Sequence, residues 1–120
     1  GNQAQALQKA EAVKKEHGDD WRGPFIMGVA LKAQGKTKEA IHHLQKAMIA
    51  NSIAHEPHLE MALLQSEEGE VLEAIGEARK AVNLSPRDPE VRRILANILR
   101  THGYTDQAVE EEELAEAFTK

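Results

Sequence analysis

The chain has 120 residues, 41% of them apolar and 29% charged, with a net charge of −5 and no cysteine. That is enough for one domain with a modest core, and it argues against a fibre or a disordered chain; the missing thiols exclude disulfides, thiolate nucleophiles and thiolate metal ligands. The acidic balance argues against a duplex nucleic-acid binder, whose phosphates need a basic surface, and no uncharged apolar run is long enough to suggest a membrane span. Charge is uneven along the chain, with 8 basic and 7 acidic groups in residues 1–60 but 7 and 13 in residues 61–120. Gly1-Asn2, without a methionine, reads as the edge of a longer piece, so the lack of a basic-then-apolar leader leaves the compartment open.

Apolar residues recur at three- and four-residue spacings, no segment alternates like a strand, and β-branched residues are sparse, so every element is expected to be a helix. The first is expected near 3–16. The second, near 22–34, carries Pro24 in its first turn and stops at Gly35. The third, near 37–51, has Thr37 as its expected cap. The fourth, near 56–68, starts around Pro57 and stops at Gly69, and the fifth follows near 70–84. Then "SPRDP" at 85–89 ends one helix and begins another, with Asp88 as cap and Pro89 in the first turn, where a missing N–H costs nothing. The sixth runs near 89–102 to Gly103, and the seventh, near 105–118, has Thr105 as its expected cap and carries the acidic run Glu110 to Glu113. Gly35, Gly69 and Gly103 suit the left-handed turn that closes a helix.

Those three glycines lie one fixed period of 34 apart, and so do Ala40, Ala74 and Ala108, and Ala47, Ala81 and Ala115. "EAI" at 39–41 returns at 73–75, "QAV" follows at 107–109, and "QAL" stands upstream at 5–7. Met27-Gly28, Met61-Ala62 and Leu95-Ala96 recur in phase. The chain thus reads as a leading helix, residues 1–20, followed by two-helix units at 21–54, 55–88 and 89–120. Small side chains at Gly28, Ala62 and Ala96 let the first helix of each unit approach Ala40, Ala74 and Ala108 on the second.

This period and pattern resemble the tetratricopeptide repeat (TPR) family over essentially the whole chain. The resemblance implies an all-α solenoid of antiparallel helix pairs, about seven helices here, stacked into a right-handed superhelix with a concave groove. The chain departs from the family pattern at particular positions. Where a tryptophan is common early in the first helix it has Pro24, His58 and Arg92, and where a tyrosine is favoured it has Leu31, Gln65 and Leu99. An aromatic position of the second helix holds Leu44, Ala78 and Glu112. Glu112 in a packing position leaves the last helix poorly seated, and its acidic run suits either a solvated cap or a surface awaiting another repeat.

The histidines raise the question of a metal. His42 and His43 are adjacent on one helix, where directions diverge by about 100°, and His55 and His58 sit among ordinary helix-start acids. They read as surface residues, and no metal site or cofactor is expected. Catalysis is not expected either: no strand leads into a glycine-rich phosphate loop, and Ser66 has no histidine partner in the pattern.

What remains is recognition. In the family the groove is lined by the outward faces of the first helices, which implies three stripes. They are Arg22, Phe25, Val29 and Lys32 in the first unit, Glu56, Leu59, Leu63 and Ser66 in the second, and Glu90, Arg93, Asn97 and Arg100 in the third. Phe25, Val29, Leu59 and Leu63 would form an apolar floor, and Arg93, Asn97 and Arg100 a basic end. Members that grip the C-termini of heat-shock chaperones use a Lys and Asn clamp; here those first-unit positions are Phe25 and Val29, so that subclass is not matched. The expected function is a non-catalytic protein-interaction module that binds a peptide with apolar anchors and an acidic group. The alternatives are a self-associating scaffold and the repeat region of a larger enzyme.

Overall fold

A computed structural model describes Gln5 and residues 20–119. Among the described residues there are six helices: α1 (Arg22–Ala33), α2 (Thr37–Ala50), α3 (Glu56–Glu67), α4 (Val71–Leu84), α5 (Pro89–Thr101) and α6 (Thr105–Thr119). No strand occurs among them. Each end lies within one residue of the sequence expectation; the expected first helix, 3–16, falls outside the described residues apart from Gln5, which is helical.

The chain packs as two compact units, Gly1–Glu60 and Met61–Lys120. In the first, α1 lies against α2; in the second, α4 lies against α5 and α5 against α6. Connections of three residues between α1 and α2 and between α5 and α6 leave adjacent packed helices no arrangement but an antiparallel one.

The same joint closes α1, α3 and α5. Gly35, Gly69 and Gly103 have φ of 77°, 79° and 91°, a region open to glycine at little cost. Around each, the amide three residues past the last helical residue reaches back to a carbonyl of the last turn. Lys36 donates to Leu31 at 2.9 Å, Glu70 to Gln65 at 2.9 Å and Tyr104 to Leu99 at 2.8 Å. The glycine amides donate to Lys32, Ser66 and Arg100, which completes the pair of reversed bonds that ends a helix in this way.

Helix starts are less uniform. Asp88 caps α5 as expected, its Oδ1 accepting from the Glu90 amide at 3.0 Å, with Pro89 in first position. Thr37 does not cap α2. Lys36 occupies that position and makes no side-chain capping bond, and Thr37 is the first helical residue. Likewise Thr105 opens α6 one residue inside the cap, since the Tyr104 carbonyl already accepts from Ala108. In both cases the reversed bonds after the glycine draw the chain back so sharply that the helix begins one residue before the threonine could act as its cap.

The core is built on small side chains. Ala40, Ala47, Ala62, Ala74, Ala78, Ala81, Ala96, Ala108 and Ala115 are all buried. Gly28 explains why: a Cβ there would stand 2.8 Å from Leu44 Cγ, 2.9 Å from Leu44 Cδ2 and 3.2 Å from the Ala40 carbonyl. The first-helix glycine therefore meets the second helix as its spacing predicts. Leu44, Leu64, Leu95 and Leu99 supply most of the large buried volume.

The last repeat departs from the expected register. Glu112 is exposed, and Glu111 turns inward, 7% accessible. Its carboxylate takes Arg92 Nη1 at 2.9 and 3.3 Å, while Arg92 Nε donates to the Pro86 carbonyl at 2.9 Å. The Phe118 ring lies 5.4 Å from the same guanidinium. Arg92 thus fills the position where the family favours an aromatic side chain, and an ion pair does the seating that apolar contact does elsewhere.

Candidate functional site

The outward face of α1 is largely engaged by its own surroundings. Arg22 donates to Asp20 through Nε at 3.0 Å and Nη2 at 2.5 Å, and this hydrogen bond, with the carboxylate's charge, raises the guanidinium's already high pKa. The Phe25 ring packs tilted against Trp21 at 5.5 Å. Lys32 Nζ pairs with Glu60 Oε2 at 2.5 Å. Phe25 and Val29 are half-buried, and Leu59 is buried outright, a core residue more than a floor. The exposed large apolar side chains of the first unit stand elsewhere, Ile49 at 85% and Ile53 at 76%.

In the second unit Leu63 is half-buried. Ser66 has a histidine partner after all: its Oγ lies 2.9 Å from His102 Nε2. The spacing hid this pair, because His102 is the residue that ends α5 and only the packing of α3 near that end brings them together. Nucleophilic chemistry would need the base oriented by a third group, and among the described residues no carboxylate bonds His102. What the bond does is tie α3 to α5.

Arg93, Asn97 and Arg100 lie one turn apart on α5 and are all exposed, as the repeat phase predicts. They do not form an open basic end. Arg93 Nη2 donates to Thr119 Oγ1 at 3.0 Å, with Glu90 Oε2 3.6 Å from Nη1, and Arg100 Nη2 donates to Glu112 Oε1 at 2.5 Å. Helix α6 lies alongside, and Glu112 of its acidic run neutralises Arg100, while the carboxylate beside Arg93 is Glu90 of its own helix. Between α5 and α6 opens a cleft of about 430 Å³ lined by Arg93, Asn97, Glu112, Glu116 and Thr119. The α6 half of this lining was missed in the sequence, where Glu112 reads as a packing residue. Its signal was present in the spacing, since 112, 116 and 119 fall at i, i+4 and i+7 on one helical face.

The cleft lining holds no histidine. His42 and His43 meet edge to face with ring centroids 5.4 Å apart, and His55 Nδ1 stands 3.3 Å from Glu56 Oε1. Among the described residues no three His, Asp or Glu side chains converge as a metal ion would require, and no helix is long and apolar enough to cross a membrane.

Solved structures share this fold. A crystal structure of MamA superposes with a TM-score of 0.83 at 19% identity, over 99% of this chain and 70% of that one. MamA 41-end from Desulfovibrio magneticus RS-1 gives 0.77 at 15% identity, over 98% of this chain and 67% of that one. A thermophilic TPR protein of Thermus thermophilus gives 0.78 at 22% identity, over 91% of this chain and 61% of that one. This chain therefore spans less than two thirds of the Thermus protein's length. No protein-family model matches the chain, and no curated protein matches its sequence. The fold is thus that of the tetratricopeptide-type helical repeat, as the 34-residue period implied.

Proposed function

We propose that this chain is a non-catalytic protein-interaction module that captures a peptide segment of a partner on the outward faces of its first helices. A TPR-type fold supports an interaction role in general. The observation that carries the finer reading is in the second unit, where Arg93 and Asn97 of the exposed stripe line the cleft beside α6 and Arg100 holds Glu112 of its far wall.

Asn97 is the residue best suited to a main chain. Its amide offers a donor and an acceptor matched to a peptide group, and its side chain makes no bond with a described residue, so nothing has to be broken when a partner arrives. The two arginines hold the walls in place through α6, which lowers the ordering cost of binding.

A displayed library of random peptides, selected on the folded chain, tests this. Enriched peptides are expected to bind Asn97→Leu about three- to tenfold more weakly, the loss of one polar contact. Enriched peptides that bind the variant equally well, or a library from which none is enriched, would refute it.

A further inference from the structure

Resting on that reading, we infer that the α5–α6 cleft takes the cationic side chain, a lysine or arginine, of the captured peptide. The argument starts from what is already spent. Arg93 is held by Thr119 and Glu90, and Arg100 by Glu112. The Thr119 hydroxyl donates its proton to the Ala115 carbonyl at 2.8 Å, so towards the cleft it is an acceptor used by Arg93. Each guanidinium keeps further N–H donors, but each already has a carboxylate beside it, and the charge left without a described partner is negative. Glu116 makes no hydrogen bond or ion pair with a described residue, Glu112 has its Oε2 outside the Arg100 bond, and Asn97 has its Oδ1.

Charge agrees at two scales. The lining carries one positive group, Arg93, against two negative ones, Glu112 and Glu116. Residues 61–120 as a whole carry 7 basic and 13 acidic groups, a balance of 7 − 13 = −6, which steers basic segments towards this unit. Arg93 and Arg100 each face a carboxylate already, Glu90 and Glu112, so an anion competes with one at either site, whereas Glu116 has no described cation to lose. The cleft volume, about 430 Å³, lies at the lower end of the ~300–1,000 Å³ typical of ligand pockets, ample for one extended side chain.

The test is a nitrogen-15 NMR titration of the folded chain with three blocked peptides, Ac-Gly-Ser-Leu-X-Leu-Ser-Gly-amide, in which X is Arg, Gln or Glu. The Arg peptide is expected to shift amides of α5 and of the C-terminal half of α6, and to bind about fivefold more tightly than the Gln peptide, weakening in about 0.5 M salt. Glu112→Gln with Glu116→Gln should abolish that advantage. Should the double variant lose helicity by circular dichroism, Glu116→Gln alone, at an exposed side chain without a described partner, still reads the effect. If the Gln or Glu peptide shifts the same amides at equal or higher affinity, the cationic assignment falls and peptide capture stands. If no peptide shifts them, both fall.

Discussion

Two glycines inside helices of this chain invite the same substitution with opposite results. Gly28, in α1, is buried; Gly76, in α4, is exposed with no atom within 4 Å of a Cβ built on it. Replacing either with alanine removes the entropic cost of a helical glycine, a gain of about 0.5–1 kcal/mol. At Gly76 that gain is all there is. At Gly28 the new methyl would stand 2.8 and 2.9 Å from Leu44 and 3.2 Å from the Ala40 carbonyl. Leu44 is fully buried, and the Ala40 carbonyl is fixed in α2. Overpacking of this kind costs about 1–3 kcal/mol. Because the entropic gain is common to both variants, the difference between them is the overpacking cost itself. Urea unfolding followed by far-ultraviolet circular dichroism should place Gly28→Ala below Gly76→Ala by about 1–3 kcal/mol. In a Leu44→Ala background the nearest two atoms are gone, so Gly28→Ala should there be neutral or stabilising, a non-additivity expected only of contacting residues. Equal stability of the two glycine variants, or strict additivity with Leu44→Ala, would refute the close approach of α1 and α2.

Gly103→Ala should destabilise by about 1–2 kcal/mol through backbone strain alone, since φ is 91° and nothing lies within 4 Å of the new methyl; an unchanged urea midpoint would contradict the left-handed joint. Arg92→Leu strands the carboxylate of Glu111 in a nearly buried site and should cost about 3–5 kcal/mol, whereas Arg92→Leu with Glu111→Leu should recover most of it. A double variant as unstable as the single one would show that the pair is not what seats α6. Gln65→Leu should stabilise by about 1 kcal/mol, because Gln65 Oε1 is buried without a hydrogen-bond partner and the equivalent positions are the well-packed Leu31 and Leu99. A lower unfolding midpoint for that variant would mean the amide has a role the packing does not reveal.

These cases mark out what was legible in the sequence. Helix ends were, to within a residue, because they are set locally: a glycine that alone tolerates positive φ closes α1, α3 and α5, and an Asp-Pro pair opens α5. The threonine caps were misread for a reason equally local, since the reversed bonds after each glycine claim the capping position for Lys36 and Tyr104. The alanine and glycine ladders were legible because close helix approach admits few other side chains. They say which faces meet, and Gly28 against Ala40 and Leu44 confirms it at atomic distance.

The charged side chains were not legible in this way, and the reason bears on function. A period of 34 fixes which position along the repeat a residue occupies, but an arginine and a glutamate both reach farther than a helical turn. Where they end is decided by which partner lies nearest in space. Glu111 is drawn inward by Arg92, which leaves Glu112 on the surface to meet Arg100, and that single exchange turns an expected basic end into a cleft lined by both signs of charge. The repeat thus positions the stripe on α5, while the chemistry the stripe offers is set by α6, a helix that the family pattern treats as packing. Recognition in this chain is therefore better sought in the pairing between the first and second helix of a unit than in the first helix alone.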